Sequence, residues 1–173
     1  MACIIADGRE WQCKEQTGGI SAVYFANYGD LSGSAVVAGV IAGSELSGKT
    51  IYKFSLPDYT ASLTETVNSS VENGTYFVEQ VIDMTLHKLQ AVARAEIKLL
   101  AAGRPQVIVE DNNGNFLLLG LLKGCNMSAG SSQSGAAAGD LSGYQLSFTG
   151  IENNTAPFIA DLDSATIVST YVP

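Results

Sequence analysis

A single segment of this chain has the period of an amphipathic helix, whereas the other patterned segments alternate as strands do. From about Lys88 to Ala102, apolar residues recur every three or four positions and therefore share one helical face. Gly103 and Pro105 predict the end of that helix. One helix among many strands cannot build the repeated strand–helix–strand units of a parallel sheet. We therefore predict a β-dominated α+β fold, an antiparallel β-sandwich or barrel flanked by a single α-helix at about residues 88–102.

The strands of this fold are predicted from two-residue alternation and from β-branched content. Residues 34–42 favour a buried strand, and the polar, Thr-rich residues 60–67 favour an edge strand. Two turns, Glu72-Asn73-Gly74 and Asp111-Asn112-Asn113-Gly114, predict hairpins. The strands are expected at residues 20–25, 34–42, 51–56, 60–67, 75–87, 106–110, 115–120, 144–148 and 165–172.

No internal repeat or domain boundary interrupts this pattern, so a single domain is expected over residues 1–173. It comprises an irregular arm (residues 1–19), the sandwich with its helix (20–150) and a C-terminal extension (151–173). Ala129–Gly139 consists almost entirely of Gly, Ser and Ala, and is expected to form a flexible loop because it has few side chains to pack.

Charge is sparse for so apolar a chain. Of 173 residues, 46% are hydrophobic and 15% charged, with a formal net charge of −8. This composition argues against disorder, and no apolar run is long enough for a membrane span. The negative charge argues against a groove that grips nucleic acid through its phosphates. Copies of the same chain are one means of covering an apolar surface with few charges.

The three cysteines, Cys3, Cys13 and Cys125, do not form a disulfide framework, because their number is odd and they are widely scattered. The first residues show neither the basic region nor the apolar stretch of a secretory signal. A reducing cytoplasm is therefore the expected place of synthesis.

Gly43–Thr50 matches the phosphate-binding pattern G-x-x-x-x-G-K-[ST], with Lys49 and Thr50 in the last two places. That motif works by leading into a helix whose free N–H groups hold phosphates. Here residues 51–56 alternate as a strand and Pro57 ends them. We therefore expect a Gly/Ser connection between two strands and no bound nucleotide.

Other candidate chemistry is equally weak. His87 is the only histidine, and the cysteines lack the close spacing typical of zinc ligands. Glu110 and Asp111 are adjacent on a strand and point apart, so Asp111 is expected to hydrogen-bond the following turn. We predict no enzyme activity, no catalytic residue, no metal and no cofactor.

Glu96 is an exception within the helix, because helical geometry places it in the middle of the apolar stripe. Either the edge of the stripe is solvated at that point, or a neighbouring strand or subunit supplies a partner.

The order of elements from about Thr50 to Gly150 resembles the tail tube proteins of bacteriophages and the inner tubes of contractile injection machines. The resemblance covers a little over half of the chain. The features that carry it are Tyr52-Lys-Phe-Ser-Leu before Pro57, the Thr/Ser-rich residues 60–67, the long strand from Phe77, the helix through Ile97-Lys-Leu-Leu, the hairpin at residues 107–120, Gly124–Gly130, and Gly143–Gly150.

The resemblance implies a tail-tube-like β-sandwich that closes into hexameric rings, which stack into the tail tube of a virion assembled in a bacterial host. The partners would be further copies, other tail or neck proteins, and DNA that passes through the lumen without specific binding. A tail terminator or adaptor, or a β-sandwich binding module, is the alternative. The residues expected between subunits are Gly130, Ser131, Ser132, Gln133, Ser134, Gly135, Ala136, Gly139 and Glu96.

Overall fold

Strands account for most of the regular structure in the computed structural model, which describes residues 8–11 and 13–169. The one α-helix, α1, spans Ala91–Ala102, and a 3-10 turn spans Gly43–Leu46. In chain order the strands are β1 (Ile20–Ala26), β2 (Val36–Val37), β3 (Val40–Ile41), β4 (Thr50–Ser55), β5 (Ala61–Ser70), β6 (Thr75–His87), β7 (Gln106–Asp111), β8 (Phe116–Leu119), β9 (Cys125–Gln133), β10 (Gly143–Glu152), β11 (Phe158–Ile159) and β12 (Thr166–Val168).

These strands form two sheets that pack face to face. The four-stranded sheet has the order β5-β6-β10-β9, and all its neighbours are antiparallel. The eight-stranded sheet has the order β12-β4-β1-β7-β8-β11-β3-β2, in which only β12–β4 and β11–β3 are parallel. The predicted β-dominated sandwich with a single helix is therefore confirmed.

The main core lies between the two sheets. Phe25 on β1 contacts Phe148 on β10, with ring centroids 5.2 Å apart, and alternate residues of both sheets surround them. The other face of the eight-stranded sheet is buried too, by segments that precede β4 and follow β10. Leu31, Ile41 and Leu162 supply that second core. The eight-stranded sheet is thus the middle layer, while one face of the four-stranded sheet stays uncovered.

Most predicted strands are confirmed. Residues 75–87 are strand throughout, both predicted hairpins form, and β5 lies at a sheet edge. The predicted strand at 144–148 is longer, because β10 continues to Glu152. β12 confirms part of the predicted strand at 165–172, of which residues 170–172 lie outside the described residues.

Two predictions are wrong in ways that matter for the surface. Residues 34–42 are not a buried strand but a tight hairpin of β2 and β3, in which only Ile41 is buried. A sequence of small apolar residues does not distinguish a buried strand from a tight hairpin. The chain reverses here because Ala38 and Gly39 adopt positive φ. Ala129–Gly139 is not one loop, since its first residues belong to β9.

The helix begins at Ala91, three residues later than predicted, because Lys88 has a φ of 68° and the chain turns there. No residue of α1 is buried. Ala93, Ile97 and Leu100 rest against the main core, whereas Leu99 is 67% exposed. Glu96 is exposed, so its carboxylate carries no burial cost within the subunit.

No helix among the described residues is long and apolar enough to cross a membrane.

Candidate assembly surface

The uncovered face of the four-stranded sheet, here called the outer face, consists mostly of hydroxyl and amide side chains. Strand alternation sends every second residue of each strand to this face, and the observed register aligns them in rows across the sheet. Its members are Ser62, Thr64, Thr66 and Asn68 on β5; Phe77, Glu79, Val81, Asp83, Thr85 and His87 on β6; Gln145, Ser147, Thr149 and Ile151 on β10; and Asn126, Ser128, Ala129, Ser131 and Gln133 on β9.

The charge of the outer face has one sign. Glu79 and Asp83 are its acidic residues, and none of the described lysines or arginines lies on it. His87, the last residue of β6, is exposed at one end of this face. An approaching polyanion therefore meets no positive group on this face with which to pair.

The outer face carries a depression. A shallow depression of about 690 Å³ crosses all four strands and is lined by Ser62, Asp83, Gln145 and Ser131, among others. Side chains bond to one another along it, with Gln133 Nε2 donating to Gln145 Oε1 at 3.1 Å and Ser128 Oγ donating to Ser147 Oγ at 3.2 Å. A polar face with such a depression can line the inside of a wall.

Both edges of the four-stranded sheet, β5 and β9, lack a partner strand among the described residues. The backbone N–H of Lys88 donates to the carbonyl of Ser142 at 2.8 Å. The even-numbered residues of β10 therefore form their backbone hydrogen bonds with β6, and the odd-numbered residues form theirs with β9. Ser131 lies opposite Gln145 and pairs with it. The backbone N–H and C=O groups of Gly130 and Ser132 therefore point away from the sheet.

The residues predicted to lie between subunits divide into two groups. Gly130, Ser131, Ser132 and Gln133 form the outer part of the edge strand β9, and all are exposed. Ser134, Gly135, Ala136 and Gly139 lie in the connection to β10. Contact of either group, or of Glu96, with another subunit stays a prediction.

Asp140 organises that connection, a role that sequence reasoning missed. Its Oδ2 accepts the backbone N–H groups of Ala136 and Ala137 at 2.9 and 2.8 Å. These two hydrogen bonds lower the pKa of the Asp140 carboxyl. An acidic residue shortly after a Gly/Ser/Ala run was the available signal, because Asp commonly accepts backbone hydrogen bonds in turns.

The described part of the arm, residues 8–11 and 13–19, is irregular as predicted, and its last residues are fixed to the β7–β8 turn. Asn113 exchanges two hydrogen bonds of 2.9 Å with the backbone of Thr17, and Asn112 Nδ2 donates to Gly18 O at 2.9 Å. The arm therefore leaves the body at the end of the sandwich that holds this turn.

Asp111 caps the same turn, as predicted. Its Oδ1 accepts the backbone N–H groups of Asn113 and Asn115, both at 2.8 Å. Burial raises the pKa of the Asp111 carboxyl, but hydrogen bonds from Asn115 and Asn113 outweigh it and leave the pKa below its ordinary value.

The phosphate-motif segment is followed by a strand, as predicted. Gly43–Leu46 forms a single 3-10 turn, and β4 begins at Thr50, directly after Lys49. The N–H groups of a long helix are therefore not available at this motif. The absence of nucleotide binding stays a prediction.

The remaining candidate chemical groups lie apart from one another. Glu110 Oε2 accepts the hydroxyl of Tyr24 at 2.6 Å, and burial together with this bond raises the pKa of Tyr24. Cys125 is buried, and this burial is the main reason that the pKa of its thiol is raised to about 12. The negative charge of Glu152 raises it further. Cys13 is exposed, and Cys3 lies outside the described residues. Among the residues the structure describes, no group of side chains has the arrangement of a metal site.

Two buried glutamines that the sequence did not single out hold the loops at the other end of the sandwich. Gln80 accepts the N–H of Gly120 at 3.0 Å and donates to Glu65 Oε1 and Asn154 O, both at 3.3 Å. Gln106 has a similar role, and its side-chain oxygen accepts the backbone N–H of Leu31. A polar residue at an inward-facing strand position was the signal available in the sequence.

We expect Gln80→Met to lower the free energy of unfolding by about 2–4 kcal/mol, because the N–H of Gly120 and its other partners would lose their bonds while buried. Urea denaturation followed by circular dichroism measures the change. Gln145→Met is the matched control, since Gln145 is exposed on the outer face, and should cost less than about 0.5 kcal/mol. Equal effects of the two substitutions would contradict this role.

No protein-family model matches this chain, and no curated protein matches it closely enough to serve as a relative.

Proposed function

We propose that this chain is a structural protein that closes through the edges of its four-stranded sheet into a ring, and that such rings stack as a tube of the bacteriophage tail type. The observation that carries the proposal is the pair of long, unpartnered edges, β5 and β9, on opposite sides of one sheet. An unpaired edge can pair with a strand of another chain. Pairing β9 of one copy with β5 of the next is a head-to-tail contact, which closes into a ring if the rotation permits.

The spacing of the strands gives a ring wide enough for a DNA duplex. Four strands spaced about 4.8 Å apart give each subunit about 19 Å of wall. Six subunits, the number that the family resemblance implies, make a wall about 115 Å around and about 37 Å across, before strand tilt widens it. The outer face would line this barrel, and the bulk of each sandwich would lie outside it. The channel would admit a DNA duplex.

The chemistry of the outer face supports passage without binding. Hydroxyl and amide side chains hydrate the wall, and Glu79 and Asp83 repel phosphates. Protein–DNA affinity arises largely from lysine and arginine that neutralise phosphates, and the outer face carries neither. DNA in the lumen would therefore slide without being held.

The exposure of helix α1 also supports contact with a neighbouring subunit. Isolated helices of about 12 residues are marginal in water, and packing normally stabilises them. No residue of α1 is buried, and Val92 and Leu99 are 47% and 67% exposed. A flanking subunit in a closed ring would cover this apolar side, and it would bring Glu96 close to the interface.

Assembly of the wild-type chain tests the proposal. Light scattering at micromolar concentration should detect species much larger than one subunit, and negative-stain microscopy should show rings or tubes with a central channel. The same measurement should be repeated with a nucleating tail or neck complex. A chain that remains monomeric under every condition, including that one, overturns the proposal.

Two alternatives remain distinct from a tube. A tail terminator or adaptor would form the same ring but would stop after one layer, which microscopy separates directly. A β-sandwich binding module is supported by the polar depression on the outer face, beside which Tyr59 is 75% exposed. That module would stay monomeric and bind a hydroxyl-rich ligand such as a saccharide, with loss of binding in Tyr59→Ala.

A further inference from the structure

A second cavity, separate from the outer face, lies between the β2–β3 hairpin, β8 and the segment after β10, towards the end of the sandwich opposite to the arm. It has a volume of about 430 Å³, and Val36, Leu118, Leu121 and Phe158 supply apolar walls. Val36 and Phe158 stand at its rim, 43% and 47% exposed. A cavity of this size, mostly apolar with a few placed polar groups, is the usual form of a specific binding site.

One polar group in the wall has unused capacity. Glu152 is only 5% exposed, and its Oε1 accepts the backbone N–H groups of Leu122 and Lys123 at 2.9 and 2.6 Å. Its Oε2 accepts no hydrogen bond from any residue that the structure describes. Among the described residues no buried side-chain polar atom lacks a partner, so this oxygen is open to the cavity and is free to accept an N–H or O–H from an occupant. The cavity therefore fits an apolar body that carries one donor.

The chain itself presents such a group. Trp11, its only tryptophan, is 91% exposed on the arm. An indole is a large apolar surface with a single N–H donor and no acceptor. The neighbouring described arm residues are exposed as well, and the concavity around Trp11 is lined by arm residues alone, so its own subunit does not cover it.

The arm and the cavity lie at opposite ends of the sandwich. The arm joins the body at Gly19, beside the turn where β7 ends and before β8 begins. The cavity extends from Leu118 on β8 to Leu121 and Leu122, which follow the far end of that strand. The stretch between Gly19 and Trp11 spans up to about 27 Å when extended. A projecting group at one end and a recess at the other permit a head-to-tail contact that repeats along a stack.

We infer that Trp11 of one copy inserts into the cavity between Val36, Leu121 and Phe158 of the copy stacked on it, with its indole N–H donated to Glu152 Oε2. The inference rests on the proposed stacking of rings and identifies a contact along the stack. It is independent of the lateral contact between β9 and β5. Removing Trp11 should therefore leave rings intact and prevent tubes.

The experiment uses the fact that Trp11 is the only tryptophan. A trace of wild-type chain, below its own assembly concentration, is titrated with an excess of the Trp11→Ala chain, which has the cavity but no indole. Docking should move the tryptophan emission to shorter wavelength and raise its anisotropy. An acceptor that also carries Val36→Arg, which fills the cavity mouth, should bind at least roughly 30-fold more weakly, the loss typical of an interface hot spot.

Val37→Arg in the acceptor is the matched control, since Val37 is the next residue of β2, is 73% exposed and does not line the cavity. The acceptor with Val37→Arg should bind the wild-type chain as tightly as the Trp11→Ala acceptor does. Leu122→Arg provides a second blocked acceptor if Val36→Arg fails to fold by circular dichroism. The exposed fraction of Leu122 is 54%.

Each other outcome overturns the inference. Emission that stays at the wavelength of exposed tryptophan at every acceptor concentration means that no docking occurs. A shift that survives both blocked acceptors places Trp11 elsewhere, and a shift present in dilute wild-type chain alone shows docking within one subunit. Because the titration needs no ring, its failure is distinguishable from failure of lateral assembly, which is scored by microscopy.

Discussion

Replacing Ser132 by proline is expected to leave the subunit folded and to weaken its lateral assembly strongly. The N–H of Ser132 points away from β10, so proline removes no hydrogen bond within the subunit. Edge strands tolerate proline for this reason. In a ring the same N–H would pair with β5 of the neighbour. Its loss, together with the bulk of the proline ring at every joint, should raise the assembly concentration at least about tenfold.

Light scattering and negative-stain microscopy measure this effect, with circular dichroism to confirm the fold. Ser132→Ala is the control, because it removes the hydroxyl but keeps the backbone N–H, and it should assemble as the wild type does. Ser131→Pro tests the strand pairing itself, since Ser131 bonds to β10 and its substitution should destabilise the subunit. Assembly of Ser132→Pro at the wild-type concentration would show that β9 is not a subunit joint.

Replacing Gly120 by alanine is expected to give the largest loss of subunit stability. Gly120 has a φ of 65°, and a Cβ there would lie 2.6 Å from the carbonyl carbon of Gly124 and 2.8 Å from Cys125 Sγ. The left-handed conformation costs about 1–2 kcal/mol for alanine. Contact with a buried backbone that cannot move aside adds about 1–3 kcal/mol. The free energy of unfolding should therefore fall by about 2–5 kcal/mol, a large part of a domain's stability.

Gly114→Ala is the matched control. Gly114 also has a positive φ, of 80°, but no atom lies within 4 Å of the position its Cβ would take. This substitution should cost only about 1–2 kcal/mol, the strain of the backbone alone. Urea denaturation of both variants isolates the steric part. Equal losses would show that the turn around Gly120 relaxes to accept a side chain.

Local pattern predicted much of the fold because the responsible forces act within a few residues. Alternation in residues 75–87 fixed a strand and its inward face, and Asp111-Asn112-Asn113-Gly114 fixed a hairpin with its capping carboxylate. The single 3.6-residue period limited the chain to one helix. These signals survive in the structure because burial and turn formation both favour them.

Long-range pairing decided the rest. Ala129–Gln133 has little strand propensity, yet it is strand because β10 offers a complete row of backbone partners. Residues 34–42 look like a core strand, but only Ile41 of this segment is buried, because Leu31 and the tail residues Ile159 and Leu162 fill the rest of the second core. Likewise nothing near Gln80 or Glu152 in the sequence announces their partners, which lie 15 to 74 residues away.

The sequence by itself determined the class of fold, most of its strands, its helix and the acidic, hydroxyl-rich composition of the chain. Only the tertiary structure decided which sheet kept two open edges, which face lacked cations, and that Trp11 and the cavity lie at opposite ends. The physical reason is that strand order and sheet packing arise from contacts between distant segments. Periodicity gives each segment its faces, but it does not specify which segments become neighbours.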